Sequence, residues 1–380
     1  MIDSFRAYLR KKTIPGAWTI KPEFTKSYPR IIVIPAYAEF NSLPDTLESL
    51  QHQSPNLLKN TAVIVIVNNG ESADETVQKN NESTLIYLRN TRFSFDLGVV
   101  DASSPGLAFP DKIAGVGVAR KIGLDLALSY SEPDTLLLST DADCIFEKNY
   151  LQHIWEDHHE NNWQAAVAGF FHRRSDEQMM DEAITHYENF LITTAEKMKN
   201  AGSIFGYPAV GSTMVTTAAA YVSVGGMSRK KATEDFYFLQ ELAKFCGVRW
   251  IREVLIHPSA RPENRVYLGT GFRMVQARAG VDMSLLHYSD NAFKILKEWL
   301  SLGQSAKDRM LDSVLSESEL IHLHLSSFLK KEKIESVWNS LQRSSPTDVH
   351  FTMQFNRWFD GLKTIRLLKY FSELKKEISA

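Results

Sequence analysis

Cysteine is scarce. The 380 residues hold two, Cys144 and Cys246, with no pairing pattern, which fits a reducing compartment. No apolar run approaches the roughly 18–20 residues that a membrane helix needs. The opening Met1-Ile2-Asp3-Ser4-Phe5-Arg6 lacks the apolar core of a secretory signal. A cytoplasmic protein is therefore expected. Charge of one sign is lacking as well: the formal net charge is -2, so no global basic field points to nucleic acid. Internal repeats and low-complexity tracts are absent. Gly115 and Gly117 form a G-x-G without a third glycine at the dinucleotide spacing, so no dinucleotide fingerprint is read there.

What remains is ordinary for a globular chain: 44% hydrophobic, 23% charged, 13 Pro and 19 Gly. The length suits one large α/β domain plus an extra element, or two domains. The stretch Leu136-Leu137-Leu138-Ser139-Thr140-Asp141-Ala142-Asp143 organises the reading. A short Leu-rich run reads as a buried strand. It ends in two carboxylates at i, i+2, a spacing that points both to one side of an extended chain. Such a pair repels itself unless a cation lies beside it. Mg²⁺ takes oxygen ligands of this kind together with substrate phosphates. The alternative is a solvated turn in which both acids cap the next segment.

Along the chain, residues 1–29 carry an amphipathic start and a Pro-spaced leader, read as a strap. Arg30 to Ile34 is a β-branched run ended by Pro35 and reads as a central parallel strand feeding a loop. Asn41 to Asp45 caps a helix with Leu43, Leu47 and Leu50 at helical spacing. Ala62 to Val67 is the next strand, ending in Asn68-Asn69-Gly70, and Asp74-Glu75-Thr76 opens another helix. Leu85 to Arg89 reads as a third strand, Phe93 to Pro110 as a loop, and Ile122 to Leu128 as a helix. Ala165 to Phe171 is a strand, Asp181 to Lys199 a long helix, and Val248 to Ile256 a strand ending at His257. Alternating strands and helices imply a parallel sheet with right-handed crossovers, whose ligands bind beyond the carboxyl ends of the strands. A domain over 30–281 and a helical segment over 282–380 follow.

Six stretches fall in one order: Ile34-Pro35-Ala36-Tyr37-Ala38-Glu39, Val67-Asn68-Asn69-Gly70 with Asp74, Gly117-Val118-Ala119-Arg120, Asp141-Ala142-Asp143, Gly225-Gly226-Met227 and Thr233-Glu234-Asp235. Together they resemble the family 2 glycosyltransferases, over roughly residues 30 to 260. The resemblance implies an α/β GT-A fold, a Rossmann-like, mostly parallel sheet flanked by helices, and transfer of a sugar from a nucleotide-sugar to an acceptor hydroxyl by a single inverting displacement in the family's manner. It implies that Asp143, with Asp141 nearer the ribose or sugar, holds Mg²⁺ or Mn²⁺ against the donor diphosphate. Pro35, Tyr37 and Glu39 match the loop under the nucleotide, and Arg120 a cation near the donor. Asn68 stands where many relatives carry an acid that contacts the base. Asp235 matches the catalytic base, with Glu234 beside it. The residues alone also allow that pair to be acids placed favourably at a helix N-terminus.

His257 stands where some GT-A relatives place a third metal ligand; a satisfied histidine is the alternative. Arg261 and Arg265 carry guanidinium forks suited to a diphosphate, or lie in a solvated loop. Gln354-Phe355-Asn356-Arg357-Trp358 matches the Q-x-x-R-W of processive synthases, but far from the acid pair, so Phe355 and Trp358 read as helix packing. Leu367, Leu368, Phe371 and Leu374 interleaved with lysines form a basic amphipathic ending, either docked or in contact with a membrane surface. A retaining transferase, a non-catalytic nucleotide-diphosphate-binding module and a scaffold remain the competing readings.

Overall fold

The computed structural model of the chain describes residues 3–229, 233–263, 265 and 268–378. Contacts divide it into two compact units, residues 1–188 with 209–283, and residues 189–208 with 284–380.

The first unit runs α1 (Asp3–Lys12), β1 (Arg30–Ala36), α2 (Leu43–Gln51), α3 (Pro55–Leu58), β2 (Thr61–Asn68), α4 (Glu75–Asn90), β3 (Asp96–Ala102), α5 (Val116–Ala127), β4 (Leu136–Ser139), β5 (Ile145–Phe146), α6 (Tyr150–Asn161) and β6 (Ala165–Phe170). It then enters α7 (Gln178–Asn200) and, after that helix, continues with β7 (Met214–Thr217), α8 (Ala218–Ser223), α9 (Glu234–Cys246), β8 (Arg249–His257) and α10 (Thr270–Arg278). The eight strands form one sheet in the order β3-β2-β1-β4-β7-β6-β8-β5. The α/β class expected from the sequence is the one observed. β3, β2, β1 and β4 run parallel, while β7 lies antiparallel to both β4 and β6. Ile31 to Ile34 and Ala62 to Val67 are buried on both faces, which explains why these central strands read as unbroken β-branched runs. The chain reverses its direction of strand addition between β1 and β4, the switch point at which open α/β sheets bind ligands.

Two sequence expectations are corrected. Leu85 to Arg89 is the last part of α4, not a strand. Asp74 caps that helix, its Oδ1 accepting from Val77 N at 2.9 Å, and Asn81, Thr84, Leu85 and Leu88 form its buried stripe. The third strand, β3, lies instead within the stretch expected as a loop. It is an edge strand that mixes exposed and buried positions, and its outer side is covered by the leader: Lys21 and Val99 exchange backbone hydrogen bonds of 2.9 Å.

The second unit comprises the end of α7 and the helices α11 (Asp290–Gln304), α12 (Leu311–Ile321), α13 (Leu325–Lys331), α14 (Ile334–Arg343), α15 (Asp348–Trp358) and α16 (Gly361–Ile378). Its core is aromatic: Phe355 and Phe359 are buried and pack with Trp358 around the buried Trp299. Phe355 and Trp358 are thus packing residues of α15. Leu367, Leu368 and Phe371 of α16 are buried too, so the apolar side of the last helix is docked within this unit.

Candidate active site

The site gathers at the carboxyl ends of β1, β2 and β4. Pro35 lies inside β1, paired in register with Ile66, two residues before the loop in which the resemblance placed it. The turn after β1 is held in an unusual conformation, with Ala38 at φ 53°. A left-handed backbone at a residue with a Cβ needs support. Two asparagines of α4 give it: Asn81 Oδ1 accepts from Ala38 N and Asn80 Oδ1 from Phe40 N, both at 2.9 Å. Asn81 also donates to Asn68 O at 3.0 Å and to Asn69 Oδ1 at 2.8 Å, tying the β1 and β2 ends together. Asn68 itself is buried, and its amide donates to the carbonyls of Ala36 and Ile66.

Arg120 joins the two acidic motifs. It lies on α5, 4% exposed. One guanidinium nitrogen donates to Asp141 after β4 and another to Glu234 at the first turn of α9. Gly211 makes room: a Cβ there would lie 2.6 Å from Arg120 Nη1. Asp235 is the next residue of α9, its Oδ1 accepting from Phe236 N at 2.7 Å. One cation faces three carboxylates here. Burial, reinforced by the neighbouring carboxylates, pushes Glu234 up to about 7 against the pull of Arg120. Burial likewise raises Asp235, again opposed by Arg120.

A second cluster surrounds Glu39 and Asp143. Glu39 is buried and accepts from both Arg261 and Arg265, the latter at 2.9 Å. Arg261 Nη2 is also 3.7 Å from Asp143 Oδ2, so its guanidinium lies between the two acids. Arg265 pairs with Glu263 at 2.6 Å and approaches the Tyr37 ring, 5.0 Å from its centroid. Burial, then Asp141 and Glu39, push Asp143 up to about 7, although Arg261 and Arg173 pull it down. Glu39 Oε2 is buried without a hydrogen-bond partner. This orphaned oxygen, across Arg261 from Asp143, is a hard donor of the kind that Mg²⁺ or Mn²⁺ takes. Among the described residues, no group of three or more His, Cys, Asp or Glu is already assembled around a common centre, and Arg261 supplies the positive charge between Glu39 and Asp143.

His257 ends β8 with both ring nitrogens engaged, Nδ1 with Phe171 O at 2.9 Å and Nε2 with Glu147 at 2.8 Å. Its ring is thus satisfied within the fold, the alternative that the sequence also allowed. Three residues of the site escaped the sequence reading. Asn81 was hidden in a segment partly read as a strand. Glu263, raised by burial against Arg265 and Arg261, was passed over between two arginines. Arg173, which follows β6 and donates to Asp143 O at 3.1 Å, carried no motif.

No family model and no curated protein matches the chain. Among solved structures it is similar to TarS of S. aureus. The 1–349 form in complex with UDP-GlcNAc is 14% identical, with 88% of this chain and 90% of that one covered and a TM-score of 0.44. The same form with UDP is 13% identical over 82% and 92%, at 0.41. A longer TarS chain is 14% identical over 81% and 55%, at 0.42. At this identity and these TM-scores the likeness carries no argument about this chain's fold or about what it binds.

Proposed function

We propose that the chain is a glycosyltransferase that moves a sugar from a nucleoside-diphosphate sugar to an acceptor hydroxyl, with inversion at the anomeric carbon. The observation that carries this reading is the Arg120 bridge, a guanidinium paired with Asp141 of the D-x-D stretch and with Glu234 of the Glu234-Asp235 pair. This bridge supports reading the two acidic motifs, 91 residues apart counted from Asp143 to Glu234, as parts of one site.

Asp143 and Asp141 would hold Mg²⁺ or Mn²⁺, which when bound neutralises charge on the leaving diphosphate. The remaining roles belong to the chain's own side chains. Asp235 takes the proton of the acceptor hydroxyl as its oxygen bonds to the anomeric carbon and the bond from that carbon to the diphosphate oxygen breaks. A carboxylate raised by burial is a better base for this than a solvated one. Arg120 fixes Glu234 and, through it, the first turn of α9 that carries Asp235. Arg261 and Arg265 can exchange Glu39 for diphosphate oxygens, because a guanidinium fork matches either partner. Tyr37 lines the nucleotide side.

Asp235→Asn removes the base and keeps its shape. Turnover should fall by about 100-fold or more, while metal-dependent nucleotide binding persists. Unchanged turnover would remove Asp235 from its role, and binding without turnover in the parent chain would favour a non-catalytic module. The anomeric configuration of the product, read by NMR, should be opposite to that of the donor; retention would point to the retaining alternative.

A further inference from the structure

The helical unit contains a cleft of about 650 Å³ that the proposed transfer reaction does not use. Its walls are α16 and the junction of α13 with α14. Five cations line it: Lys331, Lys333, Lys363, Arg366 and Lys369. Three carboxylates answer them. Glu332 pairs with Arg366 at 3.2 Å, Glu373 lies 3.8 Å from Lys369, and Asp360 lies 4.0 Å from Lys363. An excess of two positive charges is left around one concavity of a chain whose formal net charge is -2. Among the described residues, Lys331 and Lys333 have no carboxylate within ion-pair distance.

A solvated lysine face would be convex, with its charges diverging. Here the cations line one concavity, Lys363 at its sheltered end (20% exposed at its side chain) and Arg366 and Lys369 at its open side (54% and 67%), with Phe328 and Tyr370 packed at 5.5 Å beside them. Like charges gathered around one concavity reinforce each other's field and draw counter-ions. The geometry also sets the size of the anion. Lys363, Arg366 and Lys369 recur every three residues along one side of α16, which spreads them over roughly 9 Å. That span exceeds a single tetrahedral anion and suits two or more linked phosphoryl groups. The backbone contributes one further oddity: Lys333 is held at φ 66°, a conformation that a lysine adopts only under constraint.

We infer that this cleft is a binding site for a soluble anion carrying at least two phosphoryl groups. A planar membrane surface fits less well, since the site is concave and the apolar residues Leu367, Leu368 and Phe371 of α16 are buried. The inference stands independently of the proposed transferase reaction.

Calorimetric titration of the full chain with inorganic pyrophosphate and with tripolyphosphate, in EDTA and low salt, tests it. Saturable binding is expected, weakened about tenfold or more by Lys331→Glu/Lys333→Glu, as loss of charge-assisted phosphate contacts implies. Sulfate should bind much more weakly. Asp143→Ala, made in parallel, should leave this binding unchanged. Binding lost in Asp143→Ala but kept in the lysine variant would assign it to the proposed donor site and overturn the cleft. Absence of saturable binding, or binding to anionic phosphatidylglycerol vesicles with none to pyrophosphate, would overturn it as well. Thermal melts of the variants without ligand establish that they are folded.

Discussion

Arg120 faces Asp141, Glu234 and Asp235 with a single positive charge, and this imbalance makes the acid pair responsive to pH. In the proposed reaction Asp235 must be ionised to accept a proton, and Arg120 is what draws its raised pKa down. Activity should therefore fall as pH drops through an acid limb set above the ordinary carboxylate range. Replacing Arg120 by Gln removes the downward pull, so the limb should move to higher pH while kcat drops. Arg120→Lys keeps the charge but cannot bridge two carboxylates, so kcat should drop with less movement of the limb. A pH–rate profile of the two variants separates these effects. An unmoved limb in Arg120→Gln would show that Asp235 does not govern it. The acids and Arg120 were legible in the sequence because each belongs to a short motif. Their joining was not, because the contacts span 21 and 114 residues and no local pattern encodes them.

At the scale of elements, two supports hold the site in place. The first is α4. Its residue Asn81 fastens the Ala38 turn to the end of β2, and Asn81→Ala would leave buried backbone groups without partners. A loss of about 1–3 kcal/mol is expected, together with a raised KM for the donor, measurable by denaturant unfolding and steady-state kinetics. An intact KM would mean that the turn holds itself. The second support is α1. Tyr8 donates to Asp125 of α5 at 2.8 Å and accepts from Lys121 at 2.9 Å, while Tyr221 of α8 donates to Asp125 at 2.8 Å. This buried network braces the helix that carries Arg120. Gly226, at φ 72°, lies against it: a Cβ there would meet Tyr8 Oη at 1.8 Å. Gly226→Ala should therefore lower the melting temperature more than Tyr8→Phe, which removes one hydroxyl and no volume constraint. The reverse order would place the strain elsewhere. These elements also mark where sequence reading met its limit. A short apolar run such as Leu85 to Arg89 does not distinguish strand from buried helix. β3, with Asp96, Gly98 and Asp101 in an edge position, lacks the β-branched continuity that identified β1 and β2.

For the whole molecule, the α/β class and the helical ending followed from the order of apolar runs, because burial on both faces of the central strands leaves a strong signal. The assignment of residues 189–208 to the second unit did not, since it depends on how a long helix is shared. Asp143 links the site to global stability. Its pKa is raised from 3.8 to about 7 on folding, so its contribution is fully present below the unfolded value and is lost as pH rises through the folded one. Between about pH 4 and 7 the chain without added divalent cation should lose stability, and Asp143→Asn should flatten that slope in urea titrations at several pH values. A slope unchanged in the variant would assign the effect to other groups.

The most direct measurement is calorimetric binding of a panel of nucleoside diphosphates to the parent chain and to Asp143→Asn, with and without Mn²⁺. The account predicts saturable binding of at least one nucleotide that requires the cation and is weakened about 100-fold in the variant. Equal binding by the two chains, or none by the parent chain with Mn²⁺ present, would contradict it.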